Sequence, residues 1–239
     1  MMSGDHHGDA GRAAADTAAR PLALEDVKRD QEVEAYVAKA DEYTAAIGYT
    51  EHGLRHANLV ASIATNVLRR LGSPEREVQL AAIAGYLHDI GNLVGRVNHE
   101  HTGALLAGRI LGRLGMSPLE MAVVMGAIGN HEEQTGEPVS RVGAALVIGD
   151  KSDVHRTRVR NPEPTSFDIH DRVNYAVEHS FLRVDERART ITLELTINTA
   201  MSQVMEYFEI FLPRMVMCRR AATLLGCQFK LQINGTKLL

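Results

Sequence analysis

The sequence predicts a mainly α-helical bundle carrying a small α+β extension at its C-terminal end. Three observations predict it. From Leu24 to Lys151, apolar residues recur at intervals of three and four, as they do in helices with one buried stripe. Glycines and Ser-Pro pairs punctuate that stretch where helices would stop and start. Beyond about residue 180 the pattern changes to strict alternation, the period of a half-buried strand.

Taken in order, Leu24, Val27, Val33, Tyr36, Val37, Ala40, Tyr43 and Ile47 predict one helix, closed by Gly48. A second is expected from Leu54 to Leu71, stopped by Gly72. Ser73 and Pro74 read as N-cap and first residue of a third, running to His88. A fourth spans His99 to Leu114 before Gly115, and Ser117-Pro118 opens a fifth to Gly129. Val139 to Lys151 forms a sixth, after which Pro162 and Pro164 mark a loop. A short strand at Phe181 to Val184 is expected to pair with Thr190 to Ile197 through the turn Asp185 to Arg189. A long helix, Met201 to Leu225, ends at Gly226, and a last strand runs from Gln228 to Ile233 before Asn234-Gly235. The expected organisation is a flexible lead-in at 1–23, a helical domain at 24–178, and a strand-strand-helix-strand extension at 179–239. No internal repeat is visible.

Composition narrows the function classes. The 239 residues can bury one sizeable core, and the net charge of -4 gives no global basic field for nucleic acid. There is no Trp, which argues against a base-stacking single-strand binder. No apolar run reaches the roughly 18 residues of a membrane span. The first residues carry acids and no apolar segment, so they resemble neither a secretory signal nor a transit peptide, and a cytoplasmic location is expected. His6 and His7 fall in that lead-in. Cys218 and Cys227 read as reduced, buried thiols. Met201, Met205, Met215 and Met217 suggest a Met-rich face on the long helix, either core or a homodimer interface.

The histidines carry the chemical signal. His88-Asp89 closes the apolar run Leu80 to Leu87 and is followed by Ile90-Gly91, where glycine permits a sharp turn. His56 opens a helix, His99 and His101 precede another, His131 follows a third, and Asp150 ends the apolar run from Ala144. A carboxylate after such a run must be paired or bind a metal. Several helices thus each deliver one His or Asp and never a Cys. That donor set suits Zn, Fe, Mn, Ni or Co and argues against a structural thiolate zinc site.

The order His56, then Leu87-His88-Asp89-Ile90-Gly91, then His99 with Gly103, then Asn130-His131-Glu132, then Gly149-Asp150 resembles the HD superfamily of metal-dependent phosphohydrolases. The likeness spans about residues 49–153 and implies an HD-type helical bundle. Within the superfamily it is nearest to the HD-GYP branch, from which it departs in three places. Asn92 stands in place of a lysine, Asn130 in place of a histidine, and the GYP tripeptide is missing. Carried over by position, His56, His88, Asp89 and Asp150 would hold one divalent ion. Asp89, His99 and His131 would hold a second, with Asp89 bridging.

His52, four residues before His56, shares its helical face and reads as a substrate contact or extra ligand. His101 is an alternative to His99, and Asn130 stands beside His131. Lys151, Arg156 and Arg158 are candidate phosphate donors, or solvated cations. Glu132 and Glu133 could take protons near the site but read more simply as solvated loop acids. Asp153 is expected to pair with an arginine, His155 to be surface, and His170 and His179 to be structural.

The expected function is hydrolysis of a phosphate ester of a small molecule, such as a nucleotide or cyclic nucleotide. Attack would come from hydroxide activated by a two-ion site. Two alternatives use the same residues: a mixed-valent di-iron oxygenase of HD type, and a non-catalytic metal-binding regulatory module.

Overall fold

A computed structural model describes residues 20–238. Most of the lead-in, including His6 and His7, lies outside the described residues. The chain folds as nine described helices: α1 Leu24–Lys28, α2 Gln31–Ala46, α3 Leu54–Arg70, α4 Glu75–Leu87, α5 His99–Arg113, α6 Pro118–Gly129, α7 Arg141–Lys151, α8 Ile169–Ala176 and α9 Val204–Leu224. Four strands, β1 Val177–Asp185, β2 Thr190–Ile197, β3 Gln228–Ile233 and β4 Thr236–Lys237, form one mixed sheet in the order β1-β2-β3-β4. Among the described residues no helix is long and apolar enough to cross a membrane.

Local chemistry moves several expected boundaries. The first helix is two, because the Asp30 carboxylate caps α2 by accepting the Val33 amide. The third begins at Glu75, with Pro74 extended at ψ 139°. Ser73 does not cap it, since its hydroxyl accepts a bond from Arg141 on α7. Ser140 caps α7 through the Gly143 amide, so that helix starts at Arg141. Ser202 donates to Glu206 and Gln203 is the N-cap of α9, which starts at Val204. Helix α8 was not expected at all. Asp168 caps it by accepting the Asp171 amide. Strand β1 begins at Val177, so it straddles the expected boundary at residue 178.

In the sheet, β1 and β2 are antiparallel, with Leu182 opposite Leu193. β3 runs parallel to β2, which requires the α9 crossover between them. Asn234 and Gly235, both at positive φ, turn β3 back into β4. The buried side chains of β2, namely Ile191, Leu193, Leu195 and Ile197, belong to the same continuous core as the helices. Met215 and Met217 are in that core, Met205 is exposed, and Met201 precedes the helix. The four methionines therefore share no single face. Cys218 and Cys227 are free and buried.

Helices α3, α4 and α7 form the centre of the bundle. A Cβ on Gly85 of α4 would lie 2.9 Å from the Ala61 backbone, so α3 and α4 touch backbone to backbone. Gly91, in the 3-10 turn Ile90–Leu93, is tighter still, and a Cβ there would collide with the His99 carbonyl and Gly103 amide. That contact clamps the start of α5 onto the end of α4.

Candidate metal centre

The end of α4, the start of α5, the end of α6, the start of α3 and the end of α7 converge on one buried cluster. His56, His88, His99 and His131 are each at most 2% exposed, and Asp89 and Asp150 are each 8% exposed. The helices delivering them end here for local reasons. Gly53 breaks the chain before α3, the 3-10 turn follows Asp89, and Asn98 adopts positive φ just before His99.

Each imidazole is held by its Nδ1. His56 Nδ1 lies 2.7 Å from Asp153 Oδ2. His88 Nδ1 is 2.8 Å from the Gly85 carbonyl, His99 Nδ1 3.1 Å from the Arg96 carbonyl, and His131 Nδ1 2.6 Å from the Ile128 carbonyl. These partners only accept, so they fix Nδ1 as the protonated nitrogen and leave a lone pair on every Nε2. The four Nε2 atoms face inward in two pairs. His56 and His88 meet at 3.2 Å, as do His99 and His131. Two facing lone pairs repel unless positive charge lies between them.

Asp89 joins the two pairs. Its Oδ2 is 3.3 Å from His88 Nε2 and 3.6 Å from His56 Nε2. Its Oδ1 is 3.3 Å from His99 Nε2 and 4.0 Å from His131 Nε2. Asp150 Oδ1 completes the first half at 3.3 Å from His56 Nε2 and 3.6 Å from His88 Nε2. Separations of this size are the ligand-to-ligand edges given by bonds of about 2.0–2.2 Å to a first-row divalent ion. Asp89 Oδ2 is buried with no hydrogen-bond partner among the described residues, which marks a site meant for a cation. Donor atoms of His56, His88 and Asp150 lie within 4.8 Å of one another, as do those of His88, Asp89 and His131.

The electrostatics agree. Burial would raise the Asp89 carboxyl, but the facing His88 holds it well below the usual carboxylate range. Burial likewise works against a charged His88, yet Asp89 and Asp150 outweigh it and raise the ring to about 10. The cluster demands positive charge among its rings, which a divalent ion supplies. His/Asp donors without thiolate fit that ion.

The family model for the HD domain matches residues 51–197, more than half of the chain. The chain belongs to the HD-domain family. An uncharacterized protein of Methanocaldococcus jannaschii is 27% identical over 183 residues, which cover 67% of this chain and 70% of that one. No solved structure matches.

The HD domain brings together the six residues expected as ligands. It treats the others differently. His52 lies just before α3 rather than on it, buried, with Nδ1 2.5 Å from the Thr50 carbonyl and its ring 5.6 Å from that of His56. His101 is exposed and faces only Glu100, so it does not replace His99. Asn130 caps α6 and its side-chain amide donates to the Gly126 carbonyl. Lys151 is no free phosphate donor. It is buried between Glu133 Oε2 at 2.5 Å and Asp150 Oδ2 at 2.8 Å. Burial would discharge it, but those two carboxylates keep it protonated. Arg156 pairs with Glu178 and lies over the Tyr175 ring, and it lines neither cavity at the site. Arg158 lines one cavity, but it donates to the Glu51 and Asp153 carbonyls.

Two cavities open beside the cluster, of about 300 Å³ and about 480 Å³. They share the lining residues Tyr49, Arg96, His170 and Arg214, and so lie side by side. Here the sequence reading missed several residues. Arg96 lies 3.2 Å from His99 Nε2 and 3.6 Å from Glu132 Oε2. Arg214, from α9, donates to Glu133 Oε1 at 3.0 Å. Glu132 and Glu133 are therefore not solvated loop acids. Position next to His99 could have flagged Arg96; the two glutamates are already candidates in the sequence for taking protons near the site, though the loop reading is the simpler one there. Arg214 lies outside the matched family region, and nothing near it in sequence announces it.

Proposed function

We propose that this HD domain is a metal-dependent phosphohydrolase acting on a phosphate ester, with a two-ion site bridged by Asp89. The observation that carries the reading is the division of Asp89, one oxygen toward His56 and His88 and the other toward His99 and His131. His56, His88, Asp89 and Asp150 would hold one ion. His99 and His131 would hold the other together with Asp89. Divalent ions there would neutralise phosphoryl oxygens and lower the pKa of water toward neutrality.

The chain's own residues supply the rest. Arg96 and Arg214 line the cavity that His99 also lines and are suited to orient a phosphoryl group by charge-assisted hydrogen bonds. Lys151 balances the charge of Asp150, which stays a carboxylate. Burial raises the Glu132 carboxyl, so it holds a proton more readily than an exposed glutamate and is suited to deliver one to a leaving group. Tyr49 stacks on Arg96, with the guanidinium 5.2 Å from the ring, and steadies the arginine.

The test is the Asp89→Ala variant, assayed for bound metal and for hydrolysis of aryl phosphate mono- and diesters. Loss of both is expected. Unchanged metal content and activity would remove the proposal.

A further inference from the structure

Helix α9 has two faces. On one, Tyr207, Phe211, Met215, Cys218 and Ala222 are buried in the core, and Arg214 lines the cavities beside the histidine cluster. On the other, Met205, Glu209, Leu212, Val216, Arg219 and Thr223 advance by four and three residues in turn, which keeps all six along one side of a helix. That alternation is the rhythm of a seam between two packed helices. Val216 is half-buried and the other five are exposed, with Met205 and Leu212 as much as 66% and 52% exposed. The seam is thus left without a partner among the described residues. Its charged members are unused as well. The ion pairs that α9 makes among the described residues employ Glu206 and Arg214, and neither Glu209 nor Arg219 takes part.

The seam is complementary to its own reverse. An antiparallel copy of α9, related by a two-fold axis at the level of Arg214, sets Glu209 opposite Arg219, Leu212 opposite Val216 and Met205 opposite Thr223, and each pair occurs twice. A parallel copy would set Glu209 on Glu209 and Arg219 on Arg219, which repel. We propose that this face is an interface with a second copy of the chain, packed antiparallel through α9 in a closed two-fold dimer. The seam runs about 27 Å at 1.5 Å per residue, with the apolar pairs nearest the axis and the ion pairs flanking them. Of the methionines on the helix only Met205 takes part. None of the six residues lines the cavities beside the histidine cluster, so the interface and the site use different faces of α9. The pairing does not depend on the phosphohydrolase reading.

Sedimentation velocity of the full chain, up to high micromolar concentration, reads the association directly. A reversible dimer is expected. Leu212→Glu places a charge beside the two-fold axis and should leave the chain monomeric. Glu209→Arg and Arg219→Glu each turn two attractive pairs into two repulsive ones, and each should weaken the dimer by roughly tenfold. Both substitutions in one chain should restore it, because the charges are then exchanged rather than lost. Mixing the two single variants should restore it too, since opposite charges then face each other in both pairs. All three positions are exposed, so the circular dichroism of every variant should match that of the unaltered chain. A chain that stays monomeric at every concentration, which would leave the face to some other partner, overturns the proposal. So does a dimer indifferent to Leu212→Glu and to the single charge reversals. Losses that neither the double variant nor the mixture restores overturn the antiparallel pairing.

Discussion

His56 Nδ1 lies 2.7 Å from Asp153 Oδ2, and both side chains are almost fully buried. Asp153 is held in turn by Arg55 at 2.9 Å. Arg158 adds a bond to the Asp153 carbonyl. Burial would raise the Asp153 carboxyl, but Arg158 and His56 hold it far below its usual range. The carboxylate thus fixes which nitrogen of His56 carries the proton and which faces the cluster.

Asp153→Ala should therefore weaken metal binding without removing a donor atom. The expected loss is about 10- to 100-fold in affinity, as for other carboxylates that orient a ligating histidine. Competition with a chromogenic chelator measures it. An affinity equal to that of the unaltered chain would show that His56 needs no such support.

Gly91→Ala tests the clamp between α4 and α5. The new methyl group meets backbone, at the His99 carbonyl, and backbone yields poorly. A loss of about 3 kcal/mol is expected, at the upper end for overpacking. The loss of metal affinity should accompany it, because His99 is displaced with the helix. Chemical denaturation and metal titration read the two effects separately.

Metal addition should stabilise the fold. The four Nε2 atoms, in two 3.2 Å contacts, face the Asp89 and Asp150 carboxylates as a ready donor set for a cation. An ion at a thousand times its Kd adds about 4 kcal/mol by mass action. Thermal unfolding with and without a chelator shows whether the melting temperature rises accordingly. Metal analysis of the same sample identifies the ion. Iron absorbance with oxygen uptake, in place of phosphate release, would favour an oxygenase over a hydrolase.

Cys218 should resist thiol reagents in the folded chain. Burial pushes its thiol up to about 12, so almost no thiolate exists at pH 8. The raised value stabilises the fold fully below the ordinary thiol pKa near about 8.5, and that contribution is lost as pH rises toward about 12. Labelling rates with and without denaturant check the first point, and unfolding at increasing pH checks the second. Fast labelling of Cys218 in the native chain would contradict its burial.

The candidate ligands were legible because each is announced by its neighbours. An apolar run ending in His88-Asp89, a glycine after it, and Asp150 after another apolar run are local patterns. Periodicity likewise found every helix longer than eight residues, and alternation found β2 and β3. The breaks at Asp30 and Ser73 were harder. A capping carboxylate and a serine claimed by Arg141 are decided by which hydrogen bond wins, and several residues compete for each. Helix α8 escaped because eight residues between loops carry too short a pattern to show a period.

The sequence by itself determined the donor set of this HD domain, its helical scaffold and three of the four strands of its extension, β4 being absent from the expected pattern. Each is written in intervals of a few residues, which backbone geometry converts directly into faces and ends. Only the tertiary structure decided that Arg214 lines both cavities, that Lys151 is locked between two carboxylates, and that the Asn174 side-chain oxygen is buried without a partner among the described residues. Those facts depend on which helices touch and at what depth. Periodicity tells which face of a helix is buried. What that face meets is set by packing between elements tens of residues apart, and no local pattern encodes it.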